Sequence, residues 1–111
     1  MDIAPMEVEI YATETGRRPF EEWLEALPKQ VRLRIEQRLH RLRLGLIGDS
    51  KYLRNGLFEL RLHAGPGYRI YYGMIGKKLI ILLEAGDKGS QAADILTAKG
   101  YWDDYLRRRE P

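Results

Sequence analysis

The stretch LFELRLHAGPGYRIYYG, residues 57–73, decides how this chain is read. Phe58, Leu60 and Leu62 alternate with Glu59, Arg61 and His63, and beyond Gly65-Pro66-Gly67 the residues Tyr68, Ile70 and Tyr72 alternate with Arg69 and Tyr71. A period of two on both sides of a tight turn predicts an antiparallel hairpin. If the apolar set shares the core face, parity forces Arg61 and Arg69 onto the opposite one. With the turn centred on Gly65 the two arginines are direct partners; a slip of two sets Arg61 against Tyr71 or Glu59 against Arg69. Two cations facing each other across strands cost roughly 0.2–1 kcal/mol unless an anion is close by. One reading is structural: Glu59 bridges one arginine and Tyr71 stacks on the other. The other is functional: Arg61 and Arg69, flanked by His63 and Tyr71, form a basic, aromatic-interleaved surface that grips a single-stranded RNA backbone and stacks a base.

On the N-terminal side, EVEIYAT (7–13) alternates as a first strand, and Phe20, Trp23, Leu24 and Leu27 fall at helical spacing behind Pro19, a residue tolerated at a first helical position. After Pro28 a second helix carries Val31, Ile35, Leu39, Leu42 and Leu46 on one stripe, until Gly45 and Gly48 end it. On the C-terminal side, KLIILLEAG (78–86) is apolar at consecutive positions, the mark of a central strand covered on both faces. GDKGSQ is then a polar loop whose Ser90 can cap QAADILTAKGYWDDYLRRR, one helix or two broken near Gly100. The expected architecture is one α+β domain over residues 1–111. Its order is β-α-α-β-β-β-α, with a twisted, mostly antiparallel four-stranded sheet, helices on one face and the other face left for function.

Composition narrows the chemistry. The chain has 111 residues and 44% apolar content, enough for one modest core. It carries 13 arginines against 6 lysines, a bias that suits planar anions such as phosphate, although the net charge of +3 is mild. There is no cysteine and there are only two histidines, His40 and His63, so disulfides, thiolate chemistry and a metal site are not expected. Gly65-Pro66-Gly67 lacks the lysine and helix of a phosphate loop, and no serine, histidine and acid set is apparent. MDIAPMEVEI has neither the basic region nor the apolar core of a signal peptide, and no apolar run is long enough for a bilayer. The expectation is a cytoplasmic protein without cofactor and without membrane contact.

Two further basic features stand out. Lys88 lies in a Gly-flanked loop before a helix N-terminus, where backbone N–H groups and the helix dipole favour anions; it is otherwise a solvated loop lysine. Arg34, Arg38 and Arg41 form an i, i+4, i+7 stripe away from the apolar side of the second helix. Such a stripe is either the wet side of the helix or a contact surface for a large RNA such as the ribosome. A ribonuclease built from these residues lets arginine and lysine orient the 2′-hydroxyl and stabilise the crowded phosphorane.

The segments PFEEWLEALP, LFELRLHAGPGYRIYYG, ILLEAGDKGSQAADI and AKGYWDDY, in this order and spacing, resemble the RelE/ParE toxin superfamily, in particular its HigB-like branch of phage-derived addiction-module killer proteins. The resemblance covers nearly the whole chain. It implies a RelE-like fold and the toxin of a type II toxin–antitoxin pair, silenced by an antitoxin, a small helix-turn-helix protein encoded beside it. RelE-like and HigB-like toxins cut mRNA on the ribosome without metal, using the RNA 2′-hydroxyl as nucleophile. The resemblance places phosphate stabilisation on Arg69, catalysis or positioning on Arg61 or His63, and the loop lysine on Lys88. The chain departs from the pattern of two lysines on the preceding strand and a tyrosine after the loop, where Ala92, Ala93 and Ile95 stand. ParE-like relatives share the fold but inhibit DNA gyrase, so the alternatives are a non-nuclease toxin or an inactive, antitoxin-binding relative.

Overall fold

The computed structural model describes residues 5–109. Along the chain it forms β1 (Glu7–Ile10), α1 (Pro19–Glu25), α2 (Lys29–Arg43), β2 (Ser50–Arg54), β3 (Leu57–Leu62), β4 (Tyr68–Ile75), β5 (Leu79–Gly86), a single 3₁₀ turn (Lys88–Ser90) and α3 (Gln91–Arg109). The sheet has five strands in the order β1-β5-β4-β3-β2. β1 runs parallel to β5, and the other neighbours are antiparallel.

The hairpin read from residues 57–73 is present as β3 and β4, and its register pairs Arg61 directly with Arg69. The four-strand expectation is corrected to five by β2, an edge strand. Its Lys51, Tyr52 and Arg54 are exposed, so the alternation that announces a half-buried strand is absent. Charged residues of this kind also keep an open edge from pairing with another chain. The signal that marks β2 is Asn55-Gly56: both residues have positive φ, 47° and 84°, which is the two-residue turn that joins twisted strands. β1 ends at Ile10, three residues short of the expected Thr13. Leu46, expected on the buried stripe of the second helix, is 39% exposed because α2 already stops at Arg43. The C-terminal segment is one unbroken helix, with Gly100 inside it.

A second correction concerns the faces of the sheet. α1 and α2 cover one face, where Phe20, Ile35, Leu39 and Leu42 pack on Leu60, Ile70, Tyr72, Ile80 and Leu82. The opposite face is not left open. α3 lies on it and buries Ala98 and Trp102 against Leu57, Tyr71, Ile81 and Leu83, together with Tyr11 from the end of β1. The Trp102 indole sits directly on Gly73, so close that a Cβ there would overlap the ring. Its Nε1 donates to the carbonyl of Asn55 at 2.8 Å, tying α3 to the β2–β3 turn. This face of the hairpin is divided along its length. Leu57, Tyr71 and Gly73 form an apolar half under α3, while Glu59, Arg61 and Arg69 form a polar half that runs out to the turn at 65–67.

Candidate nucleic-acid interface

At the polar end of that face the ladder sets Arg61 of β3 beside Arg69 of β4, and Arg69 beside Gly86 of β5. Lys88 follows two residues beyond Gly86, and its Cβ lies against Gly67 of the β3–β4 turn, within 3.6 Å of where a Cβ at Gly67 would stand. Three basic side chains singled out from distant points of the sequence therefore come to one end of the sheet.

The repulsion between the paired arginines is relieved by Glu59, whose side chain is fully buried. One carboxylate oxygen accepts from Arg61 Nε at 3.0 Å, and the other accepts from Gln91 Nε2 at 2.8 Å. Burial alone raises the Glu59 pKa. The hydrogen bonds from Gln91 and Arg61, with the charges of Arg61 and Arg69, outweigh it and hold the carboxyl below its ordinary range. The structural reading of the sequence is thus half met, since Glu59 does bridge one arginine. The two arginines are not equivalent. Arg61 is ion-paired, whereas Arg69 has no acidic partner among the described residues and its buried Nε has no hydrogen-bond partner.

Tyr71 corrects the sequence reading. It is fully buried under α3, with a hydroxyl that meets no hydrogen-bond partner, so it neither stacks on an arginine in solvent nor meets a base. Burial, and then the neighbouring Glu59 charge, push its phenol above the ordinary value. The expectation for the loop before the last helix also changes. The N–H groups of Gly89 and Ser90 are taken by Asp87 Oδ1 at 2.8 and 3.2 Å, so the protein's own carboxylate occupies the place predicted for an anion. The cap belongs to Asp87, and Ser90 closes the box from the other side. Lys88 itself remains exposed.

A second basic surface adjoins the first around the free end of β3. A concave groove of about 440 Å³ is lined by Arg34, Arg38 and Arg41 of α2, by Asp49, and by Arg61 and His63. It exists because β2 stops short of the end of β3: the Arg61 N–H is the last to be met from that side, by the Asp49 carbonyl at 2.9 Å. Arg34 and Arg41 are exposed. Arg38 instead donates to the carbonyls of Leu46 and Ile47 at 3.0 and 2.5 Å and lies over Gly48, so it holds the α2–β2 loop in place. Its burial, and then the nearby Arg41, pull its pKa below the ordinary arginine value. His63 Nε2 contacts Asp49 Oδ2 at 2.5 Å. That hydrogen bond is the main reason the Asp49 carboxyl sits below the usual range. Asp49 and Gln91 escaped the sequence reading, because each acts through a residue 14 or 32 positions away.

Among the described residues no group of three or more His, Asp or Glu side chains is placed to hold a metal ion, and no helix is long and apolar enough to cross a membrane.

Residues 22–99 match the family model described as phage derived protein Gp49-like (DUF891). An uncharacterized protein of Haemophilus influenzae Rd is 42% identical over 81 residues, which span 72% of this chain and 82% of that protein. Among solved structures, the free state of a double arginine-to-alanine mutant of the E. coli toxin RelE superposes with a TM-score of 0.59 at 15% identity, over 96% of this chain and 100% of that one. The segment order and the ELR, GYRIYY and GDKGSQ runs pointed to this group, and the sheet geometry agrees: the chain belongs to the phage-derived Gp49-like family and has a RelE-like fold.

Proposed function

We propose that this protein is the toxin of a toxin–antitoxin pair and acts as an endoribonuclease on translated mRNA. The observation that carries the reading is the convergence of Arg61, Arg69 and Lys88 at one end of the sheet, next to a groove that adds Arg34, Arg41 and His63. Among these, Arg34, Arg41, Arg69 and Lys88 have no acidic partner among the described residues, so they are free to meet phosphates. In this reading the 2′-oxygen of the RNA attacks the adjacent phosphorus and the 5′-oxygen leaves. Arg69, with Arg61 beside it, holds the non-bridging oxygens as negative charge builds up. Lys88 meets the leaving side. His63, held by Asp49, is the group in the groove with a side chain suited to moving a proton. Arg34 and Arg41 hold phosphates of the RNA that lies along the groove, and the partner that silences the toxin is an antitoxin encoded beside it.

Induced expression is expected to arrest growth and to produce new RNA 5′ ends inside translated codons. Arg69→Ala, folded as judged by circular dichroism, is expected to relieve the arrest. Full toxicity of that variant overturns the assigned site, while unchanged mRNA with altered DNA supercoiling overturns the nuclease reading in favour of gyrase.

A further inference from the structure

Between α2 and the β3–β4 turn lies a second, smaller cavity of about 230 Å³. Its walls are apolar, formed by Val31, Ile35, Leu62 and Tyr68, and the two exposed polar residues that line it are Gln30 and Arg34. It is not isolated: Arg34, Leu62 and Ala64 line both this cavity and the basic groove. The Tyr68 ring is fixed in place, edge-on to Trp23 at 5.9 Å between centroids and against Gly65 on the turn side.

We propose that this cavity takes one nucleobase of an RNA strand whose phosphates run along the adjoining groove. Three observations choose this occupant. The volume is below the roughly 300–1,000 Å³ of ordinary small-molecule sites, so it accepts a single flat ring system. An aromatic wall held at a defined angle, with an amide at the opening that both donates and accepts, is what reads the edge of an unstacked base. Of the four arginines that line the adjoining groove, Arg61 is paired with Glu59 while Arg34, Arg38 and Arg41 have no acidic partner among the described residues, and the one lining carboxylate, Asp49, is already engaged by His63; this favours a polyanion and disfavours an apolar peptide. The cavity lies on the α2 side of the turn, whereas Arg69 and Lys88 lie on the other, so the base it holds is a neighbour of the scissile link. The pocket therefore acts on which sequence is cut. This inference rests on the reading of the site as an RNA-binding surface, but it does not need cleavage in order to be tested.

The test is nuclear magnetic resonance titration of the full chain with the four nucleoside 5′-monophosphates and, as a baseless probe, ribose 5-phosphate. At least one nucleotide is expected to bind about tenfold tighter than ribose 5-phosphate, the size of one base stack. Only nucleotides are expected to shift Val31, Leu62 and Tyr68, while both probes shift Arg34, Arg41 and His63. Ala64→Leu, which fills the cavity from its wall, is expected to remove the base-dependent shifts and to keep the phosphate-dependent ones. Gln30→Ala, on the exposed side of α2, is expected to change the ranking among the four bases even if the Ala64 variant fails to fold. Equal affinity and equal shifts for ribose 5-phosphate and all nucleotides overturn the pocket, and so do base-dependent shifts that survive Ala64→Leu. Loss of the nuclease reading with base-dependent binding intact separates the two claims.

Discussion

Glu59 decides how the two central arginines share their work. It is a buried carboxylate with both oxygens hydrogen-bonded, and it cancels one of the two positive charges that the ladder brings together. Glu59→Gln keeps the shape and, with a turned Gln91 amide, both hydrogen bonds, so it isolates the charge. The expected result at neutral pH is a folded protein less stable by roughly 0.2–1 kcal/mol, the cost of two like charges left facing each other across strands. The pH dependence has a definite sign. Because the folded-state pKa of Glu59 is lowered, its contribution is present above the unfolded value and is lost as pH falls through the folded one. The gap between wild type and Glu59→Gln, measured by thermal unfolding, is therefore expected to close on acidification below the ordinary glutamate range. A gap that persists or widens there removes Glu59 as the compensating charge. The same variant leaves Arg61 unneutralised and is expected to bind single-stranded RNA more tightly than wild type.

α3 and β2 show where the sequence was readable and where it was not. The β3–β4 hairpin was legible down to the face that Arg61 and Arg69 share, because alternation and turn position are local properties; parity left a few registers open, and the structure selects the direct pairing. β2 was not, because an edge strand with exposed Lys51, Tyr52 and Arg54 carries no alternation to read; Asn55-Gly56 was the one local sign of it. The cover that α3 forms was hidden for another reason. Strand parity reports which side chains share a face, but the division of that face into an apolar and a polar half depends on where Trp102 lands, and that is set by tertiary packing. Glycine tests this directly, since two glycines in regular elements are expected to answer the same substitution with opposite signs. Gly73→Ala drives a methyl into the Trp102 indole and is expected to cost about 1–3 kcal/mol. Gly100→Ala, inside α3 with nothing within 4 Å of the new Cβ, is expected to stabilise by about 0.5–1 kcal/mol. Urea denaturation of both variants measures the pair. A neutral Gly73→Ala contradicts the seating of Trp102 on the sheet, and a destabilising Gly100→Ala contradicts an unbroken, open helix face there.

The charge of the chain as a whole, +3, understates what one end of the protein offers to a polyanion. Elsewhere several arginines are paired at home: Arg17 with Glu22, Arg18 with Glu21 and Arg54 with Asp103, while Arg107 and Arg108 share the one carboxylate of Asp104. At the β3–β4 end, Arg34, Arg41, Arg69 and Lys88 have no such partner among the described residues. A mild net charge is thus compatible with a concentrated binding surface, because four unpaired basic side chains gather around one end of the sheet. Counterion release turns this distribution into a number. Each phosphate neutralised on a single strand contributes about −0.7 to the slope of log K against log salt, so four free cations predict a slope of roughly −3 for a short single-stranded RNA. Fluorescence anisotropy across a salt series measures it. The double variant Arg34→Ala/Arg41→Ala is expected to reduce the slope by about 1.4, two phosphate contacts. Arg54→Ala, which removes a cation already paired with Asp103 on the β2 edge, is expected to leave the slope where it was. If Arg54→Ala lowers the slope as much as the double variant does, the RNA is held by diffuse charge and the β3–β4 end loses its claim to be the binding surface.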